Sequence, residues 1–200
     1  MAPPHERRRH FLVRRGEGAY RLRFLILLLV GLALPAAASA EKRLTPSWMQ
    51  VDSARKRVTI PLVAGWNPVN GALNFNGYHS GNAVVVVPAG WNVVLKFKNN
   101  DGMLPHSVVV TRVYTESDRP IEAGLGETAI PRAYSIDPVP GIMAPRGDDV
   151  PFLARDPGHY LFYCGVTGHG QAGMWVRLDV VADAAAPELV LADGAEPGWE

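Results

Sequence analysis

The chain has 200 residues, 48% of them hydrophobic and 20% charged, the make-up of an ordinary globular protein and neither a disordered nor a collagenous one. The balance of 20 Gly and 17 Pro favours turns and short strands over long helices. A formal charge of +1 and a single cysteine exclude a strongly basic chain, any intramolecular disulfide, and any metal centre that needs two thiolates.

The chain opens with a basic region: Arg7, Arg8, Arg9, Arg14, Arg15, Arg21 and Arg23 stand against only Glu6 and Glu17. An apolar run from Phe24 to Leu34 follows, then small residues ending in Ala38-Ser39-Ala40. Basic, apolar, then A-x-A is the layout of a secretory signal peptide, so residues 1–40 are expected to be a leader cleaved after Ala40. The apolar run falls short of the roughly 20 residues of a bilayer span; the alternative is an uncleaved N-terminal anchor that would tie the domain to a membrane. Arg8-Arg9-His10-Phe11-Leu12 also resembles a twin-arginine export signal, and the export route stays open. The leader carries seven of the 20 basic and two of the 19 acidic residues, which leaves 13 against 17 and a net charge of −4 beyond Ala40. Nucleic-acid binding therefore has no electrostatic support.

Beyond the leader, Ser47 to Arg57 is read as a short helix capped at Ser47. Val58–Val63 is a strand candidate. Val84–Val87, closed by Pro88-Ala89-Gly90, reads as a central strand ending in a turn. Between Trp91 and Lys98, Val93, Leu95 and Phe97 share one face, and between Met174 and Val181 the alternation repeats. Ser107–Val113 and Gly158–Cys164 complete the set, with turns expected at Asn76-Gly77, Asp101-Gly102 and Pro157-Gly158. Six short, alternating strands without a long helical pattern predict an all-β, two-sheet sandwich over residues 41–182 with antiparallel sheets. Residues 114–149 hold five prolines and break this rhythm, so they are expected to form a long irregular insertion. Residues 183–200 carry five acids and no base and are expected to be a disordered tail.

The chemistry concentrates between Tyr160 and Met174. Tyr160, Phe162 and Cys164 fall on one strand face, so Cys164 ends a strand pointing inward. His169 and Met174 follow across a loop rich in glycine, whose backbone freedom lets three side chains converge. Thiolate, imidazole and thioether suit copper better than magnesium, calcium or an ordinary zinc site. A fourth donor must come from His79, His106 or His159. His106, in Leu104-Pro105-His106-Ser107, stands at the mouth of a strand, whereas His159 points to the strand face opposite Cys164. Two His and one Cys in a plane with a weak axial Met is the arrangement of blue-copper electron-transfer sites. A free thiol in an exported protein risks oxidation unless it has a use.

Pro157-Gly158-His159-Tyr160 running to Cys164, His169 and Met174 resembles the copper loop of the cupredoxins. Asn74-Phe75-Asn76-Gly77 with Gly81, Val87-Pro88-Ala89-Gly90-Trp91-Asn92-Val93 and Leu104-Pro105-His106-Ser107 are similar to the sulfocyanins, with rusticyanin more distant. The resemblance spans residues 56–182. It implies an eight-stranded Greek-key sandwich, one copper ion held by His106, Cys164, His169 and Met174, and a one-electron carrier of fairly positive potential. Ser107 is placed to hydrogen-bond across the ligand loops. Met103, Leu104, Pro105 and Val166, with Ile142 and Met143, are expected to form an apolar collar around His169, where a redox partner would dock over a small interface.

The partners implied are a redox-protein donor and acceptor, such as a cytochrome or respiratory complex, met by a monomer on the periplasmic or extracytoplasmic side. An enzyme is the first rival. A multicopper oxidase would flank the cysteine with histidines, but Tyr163 and Gly165 stand there; a binuclear centre needs a second cysteine; a nitrite reductase needs roughly three more histidines. A copper-delivery protein with an open site is the second rival. A metal-free adhesion sandwich is the third, and it leaves the lone cysteine without a use.

Overall fold

The computed structural model of the chain describes residues 41–195 and Gly198. The leader expected at residues 1–40 lies outside the described residues. Ten strands follow in chain order: β1 (Lys42–Leu44), β2 (Gln50–Asp52), β3 (Arg57–Ala64), β4 (Ala83–Pro88), β5 (Trp91–Asn99), β6 (Val109–Arg112), β7 (Gly147–Ala154), β8 (Gly158–Tyr163), β9 (Trp175–Val181) and β10 (Glu188–Leu191). They build one sheet in the order β1-β10-β4-β9-β8-β6 and a second in the order β2-β3-β5-β7. The helical elements among the described residues are short 3-10 turns at Val69–Ala72 and Leu125–Glu127. The all-β, two-sheet sandwich read from the alternation is the fold, with ten strands where the resemblance implied eight.

Alternation works as expected where one face meets the core. In β5, Val93, Leu95 and Phe97 are buried while Asn92, Lys96 and Lys98 are exposed. Each buried side chain is worth about 1.5–3 kcal/mol. The Lys96–Asp149 ion pair across β5 and β7, both partners more than half exposed, adds about 0–1 kcal/mol. The apolar face therefore sets the register, because a one-residue slip would turn all three apolar groups to water.

Four expectations are corrected. The sheets are mixed: β3 pairs with β5 and β4 with β9 in parallel, and the other pairings are antiparallel. The chain leaves the second sheet after β3, crosses to the first as β4 and returns as β5, so β3 and β5 run the same way. The helix read over Ser47–Arg57 is instead β2 and a turn, since Val51 pairs with Val58 and the Asp52 carboxylate accepts the Arg55 N–H at 3.0 Å. The tail beyond residue 182 contains β10, inserted between β1 and β4 with Leu189, Val190 and Leu191 buried; its acids had masked an apolar strand. The irregular insertion ends earlier than expected, because β7 begins at Gly147. Pro151 interrupts the β7 pattern, and β7 can hold it because an edge strand needs hydrogen bonds on one side alone.

Asn74-Phe75-Asn76-Gly77 repairs the open edge of β3 where β2 stops. The Asn76 Oδ1 accepts the Val63 N–H at 2.6 Å and its Nδ2 donates to the Pro61 carbonyl at 2.9 Å. Asn76 sits at φ 55 and Gly77 at φ 86, left-handed geometry that Asn and Gly tolerate best. From this turn the chain reaches the site: Ser80 N–H donates to the Gly173 carbonyl at 2.8 Å, and Asn70 Nδ2 to the Ala172 carbonyl at 3.0 Å.

Residues 114–149 cover the outer face of β8. Leu161 and Tyr163, which point away from the main core, are buried with Val109, Tyr114 and Ala123 in a second apolar cluster. The Tyr163 hydroxyl donates to the Pro120 carbonyl at 2.8 Å. With both faces of β8 covered, the strand that delivers the cysteine is held from two sides.

Candidate metal centre

Cys164 lies one residue past β8, fully buried in the main core with Phe162, Ile142, Val166 and Met174. Its N–H donates to the Met174 carbonyl at 3.0 Å, and the Met174 N–H donates to the His169 carbonyl at 3.0 Å. These two bonds close the loop so that its first and last residues are neighbours. Close approach needs glycine at two points. A Cβ at Gly165 would overlap the carbonyl oxygens of Ala123 and Pro138, and Gly173 adopts φ 97, which L side chains disfavour.

His106 arrives on the segment that crosses from β5 in the second sheet to β6 in the first. Residues 106–108 bind the insertion before β6 begins: His106 and Ile142 exchange N–H···O bonds of 3.1 and 2.9 Å, and the Val108 N–H donates to Ser135 Oγ at 3.0 Å. The strand expected over Ser107–Val113 is therefore shortened to Val109–Arg112.

The ligating atoms of His106, Cys164 and His169 lie within 4.8 Å of one another. Cys164 Sγ stands 3.7 Å from His169 Nδ1, and the two imidazoles are 5.0 Å apart between centroids. His106 is buried and its Nε2 meets the Asp101 carboxylate at 3.0 Å, while its buried Nδ1 has no hydrogen-bond partner among the described residues. An unpaired buried nitrogen costs free energy unless something else fills its lone pair. A cation between two imidazoles and a thiol does so, and one thiolate, two imidazoles and a buried thioether suit copper.

The electrostatics point the same way. Burial pushes the Cys164 thiol up to about 11, partly offset by backbone N–H groups of Ser107 and Val166 directed at the sulfur. Burial pulls His106 below the usual imidazole value although Asp101 opposes it, and burial followed by repulsion from His106 pulls His169 down. Both rings are thus kept neutral with lone pairs available, and a metal bound between them would displace the thiol proton, which leaves to solvent.

Ser107 ties the two ligand loops together as expected. Its Oγ accepts the Gly165 N–H at 3.0 Å and donates to the Pro138 carbonyl at 2.6 Å. Met174 is buried, with its backbone bonded to Cys164 and His169. His79 and His159 lie elsewhere: His79 Nδ1 is 3.2 Å from Ser80 Oγ, and His159 Nδ1 is 2.9 Å from the Asp179 carboxylate on the surface. Of the expected collar, Met103, Leu104 and Met143 are exposed and Pro105 is half-buried, but Ile142 and Val166 turn inward to pack beside Cys164. The residues that sequence reasoning missed are Asp101 and Asn99. Asn99 Nδ2 donates to the Leu104 and Ile142 carbonyls at 2.8 and 2.7 Å, fixing the loop that carries His106. The carboxylate five residues before His106 was a visible signal, but Asp101-Gly102 reads as a turn.

Residues 45–191 match the sulfocyanin (SoxE) domain. The chain is 31% identical to the sulfocyanin of Sulfolobus acidocaldarius over 147 residues, which covers 70% of this chain and 71% of that protein. Among solved structures it is similar to auracyanin A, a blue copper protein of Chloroflexus aurantiacus, with 25% identity, a TM-score of 0.45, and 62% of this chain and 98% of that one covered. It is also similar to rusticyanin from Thiobacillus ferrooxidans, with 17% identity, a TM-score of 0.40, and coverage of 72% and 98%.

Proposed function

The chain belongs to the sulfocyanin family of blue copper electron-transfer proteins, and from that premise we propose that it carries single electrons between redox proteins outside the cytoplasm. His106, Cys164, His169 and Met174 are the ligands of one copper ion. The observation that carries this reading is the buried meeting of two imidazoles and a thiol with His106 Nδ1 left unpartnered.

The ion supplies one-electron chemistry, alternating between Cu(I) and Cu(II). The protein's part is to hold the donors still. Cys164 is fixed between β6 and β9 by its strand, His106 by Asp101 and Ile142, and His169 by a loop closed on itself. Donors held this way do not rearrange between oxidation states, which keeps the barrier to electron exchange low. Ile142, Val166, Phe162 and Met174 exclude water, and a dry surround disfavours the more charged oxidised form. Backbone N–H groups directed at the Cys164 sulfur act in the same direction by withdrawing charge from it.

His169 is the half-buried ligand and the exit for the electron. Met103, Leu104 and Met143 form an exposed apolar rim at the ligand loops, suited to the small, short-lived interfaces of redox encounters. The basic, apolar and A-x-A order of residues 1–40 supports export, after which the domain works as a monomer. Tyr163 and Gly165 beside Cys164 offer no histidine bridge to further coppers, so the proposed role is electron transfer with no catalysed reaction.

The test is a visible absorption spectrum with copper quantified on the purified protein. An intense thiolate-to-copper band that bleaches reversibly on reduction, at one copper per chain, is the expected result. Copper bound without that band would remove Cys164 from the ligand set and favour a delivery protein.

A further inference from the structure

We infer that Asp101 is the residue that dictates which nitrogen of His106 carries the proton, and that this position requires a carboxylate. The inference rests on the copper reading above, and concerns how the metal-free protein is made ready for the ion.

A neutral imidazole has one N–H and one lone pair, and either nitrogen can hold the proton. His106 is buried, so its tautomer is set by its neighbours and not by water. At Nε2 the neighbour is Asp101 Oδ2, 3.0 Å away. A carboxylate only accepts, so Nε2 must be the protonated nitrogen and Nδ1 keeps its lone pair. The second oxygen is also committed. Asp101 Oδ1 accepts the Met103 N–H at 2.8 Å and the Leu104 N–H at 3.3 Å. Donors therefore press on both oxygens at once.

The backbone of Asp101 gives the side chain no latitude to turn away. Its N–H donates to Asn99 Oδ1 at 2.8 Å, and the Asn100 N–H donates to the Ala64 carbonyl at 2.9 Å. Gly65, at φ 63, lies so close that a Cβ there would stand 2.6 Å from the Asp101 Cβ. The carboxylate is clamped between the end of β3 and the loop that delivers the ligand.

Asparagine, equal in shape, fails in this position. Its amide has one accepting oxygen and one donating nitrogen. If the oxygen takes the two backbone N–H groups, the NH₂ faces Nε2, which must then be the lone pair, and the proton moves to Nδ1. That proton occupies the atom the metal needs. If the amide turns over, its NH₂ faces two backbone N–H groups. Asp101 is thus a positioning residue that acts through His106.

The experiment uses the full-length protein, metal-free, with ¹⁵N-labelled histidine, and reads the His106 tautomer from long-range ¹H–¹⁵N correlations. Wild type should show Nε2–H. Asp101→Asn should shift His106 toward Nδ1–H and weaken binding of Cu(I), titrated against a competing chelator, by roughly 10–100-fold. The blue band should return at saturating copper, which separates this variant from one that loses a ligand. Nδ1–H in the metal-free wild type would overturn the inference without any variant. So would an Asp101→Asn protein that keeps Nε2–H and binds copper within about twofold of wild type. A wild type that takes up no blue copper would sink the copper reading and leave the tautomer result standing by itself.

Discussion

The loop from Cys164 to Met174 and the loop from Asn99 to His106 deliver donors to the same point, but they are held in different ways. The first closes on itself: the Cys164 N–H reaches Met174, and the Met174 N–H reaches His169. The second, besides the bonds that its own Asn99 and Asp101 side chains make within it, is braced from outside, by Ala64 and Gly65 at the end of β3 and by Ile142 of the insertion. A self-closed loop writes its geometry into residue spacing. A loop braced by distant chain segments does not, so its ligand can be named while its supports stay hidden.

The largest break in this arrangement is Cys164→Ser. The thiolate is the one donor that produces the blue band, so the band should vanish at every copper concentration while circular dichroism still reports a folded sandwich. The bonds that close the loop are backbone bonds and survive the change. A variant that remained blue would remove Cys164 from the site.

Ser107→Ala tests the tie between the two loops. Its hydroxyl accepts the Gly165 N–H and donates to the Pro138 carbonyl in the insertion. Removing it leaves the buried Gly165 N–H and the half-buried Pro138 carbonyl unpaired, at a cost of about 1–3 kcal/mol. The metal-free variant should therefore unfold at a lower urea midpoint with an unchanged m-value. Wild-type stability would mean that the loops are held independently of one another.

The same contrast explains what the sequence made legible. β5 and β9 stand out because their inward residues alternate without interruption, and the copper loop stands out because its donors are close along the chain. β7 was hidden by Pro151 and by the acids Asp148 and Asp149 at its start, although Val150, Phe152 and Ala154 are buried. β10 was hidden by the composition around it, since a count of acids over residues 183–200 averages away three buried apolar side chains. Asp101 was hidden for a different reason. A carboxylate in a turn is ordinary until the turn is folded against a buried imidazole, and that meeting depends on β3, β5 and the insertion together. The collar was read from the apolar character of its residues alone, which cannot say that Ile142 pairs with His106 and so faces inward.

Met103→Lys sharpens the comparison at the surface. Met103 is 86% exposed on the externally braced loop, beside the ligand it delivers. Electron self-exchange between oxidised and reduced copies of this chain needs no knowledge of the natural partners. If the rim is the electron's exit, two like charges brought together there should slow exchange roughly tenfold, with the deficit shrinking as salt screens them. Line broadening in NMR spectra of half-reduced protein measures the rate. An unchanged rate would place the exit elsewhere.

The smallest effect is expected from His159→Ala, although His159 is nearer to Cys164 in sequence than His106 is. Its ring lies on the opposite side of β8 and meets Asp179 at 2.9 Å with 68% of its side chain exposed. Arg177 also reaches Asp179, at 3.2 Å, so the carboxylate keeps a partner when the imidazole is removed. An exposed pair of this kind contributes about 0–1 kcal/mol, and the blue band and copper stoichiometry should match wild type. Loss of colour would mean that the register of β8 against β9, which sends His159 outward and Cys164 inward, is wrong by one residue. Proximity along the chain then counts for less than which face of the strand a side chain takes.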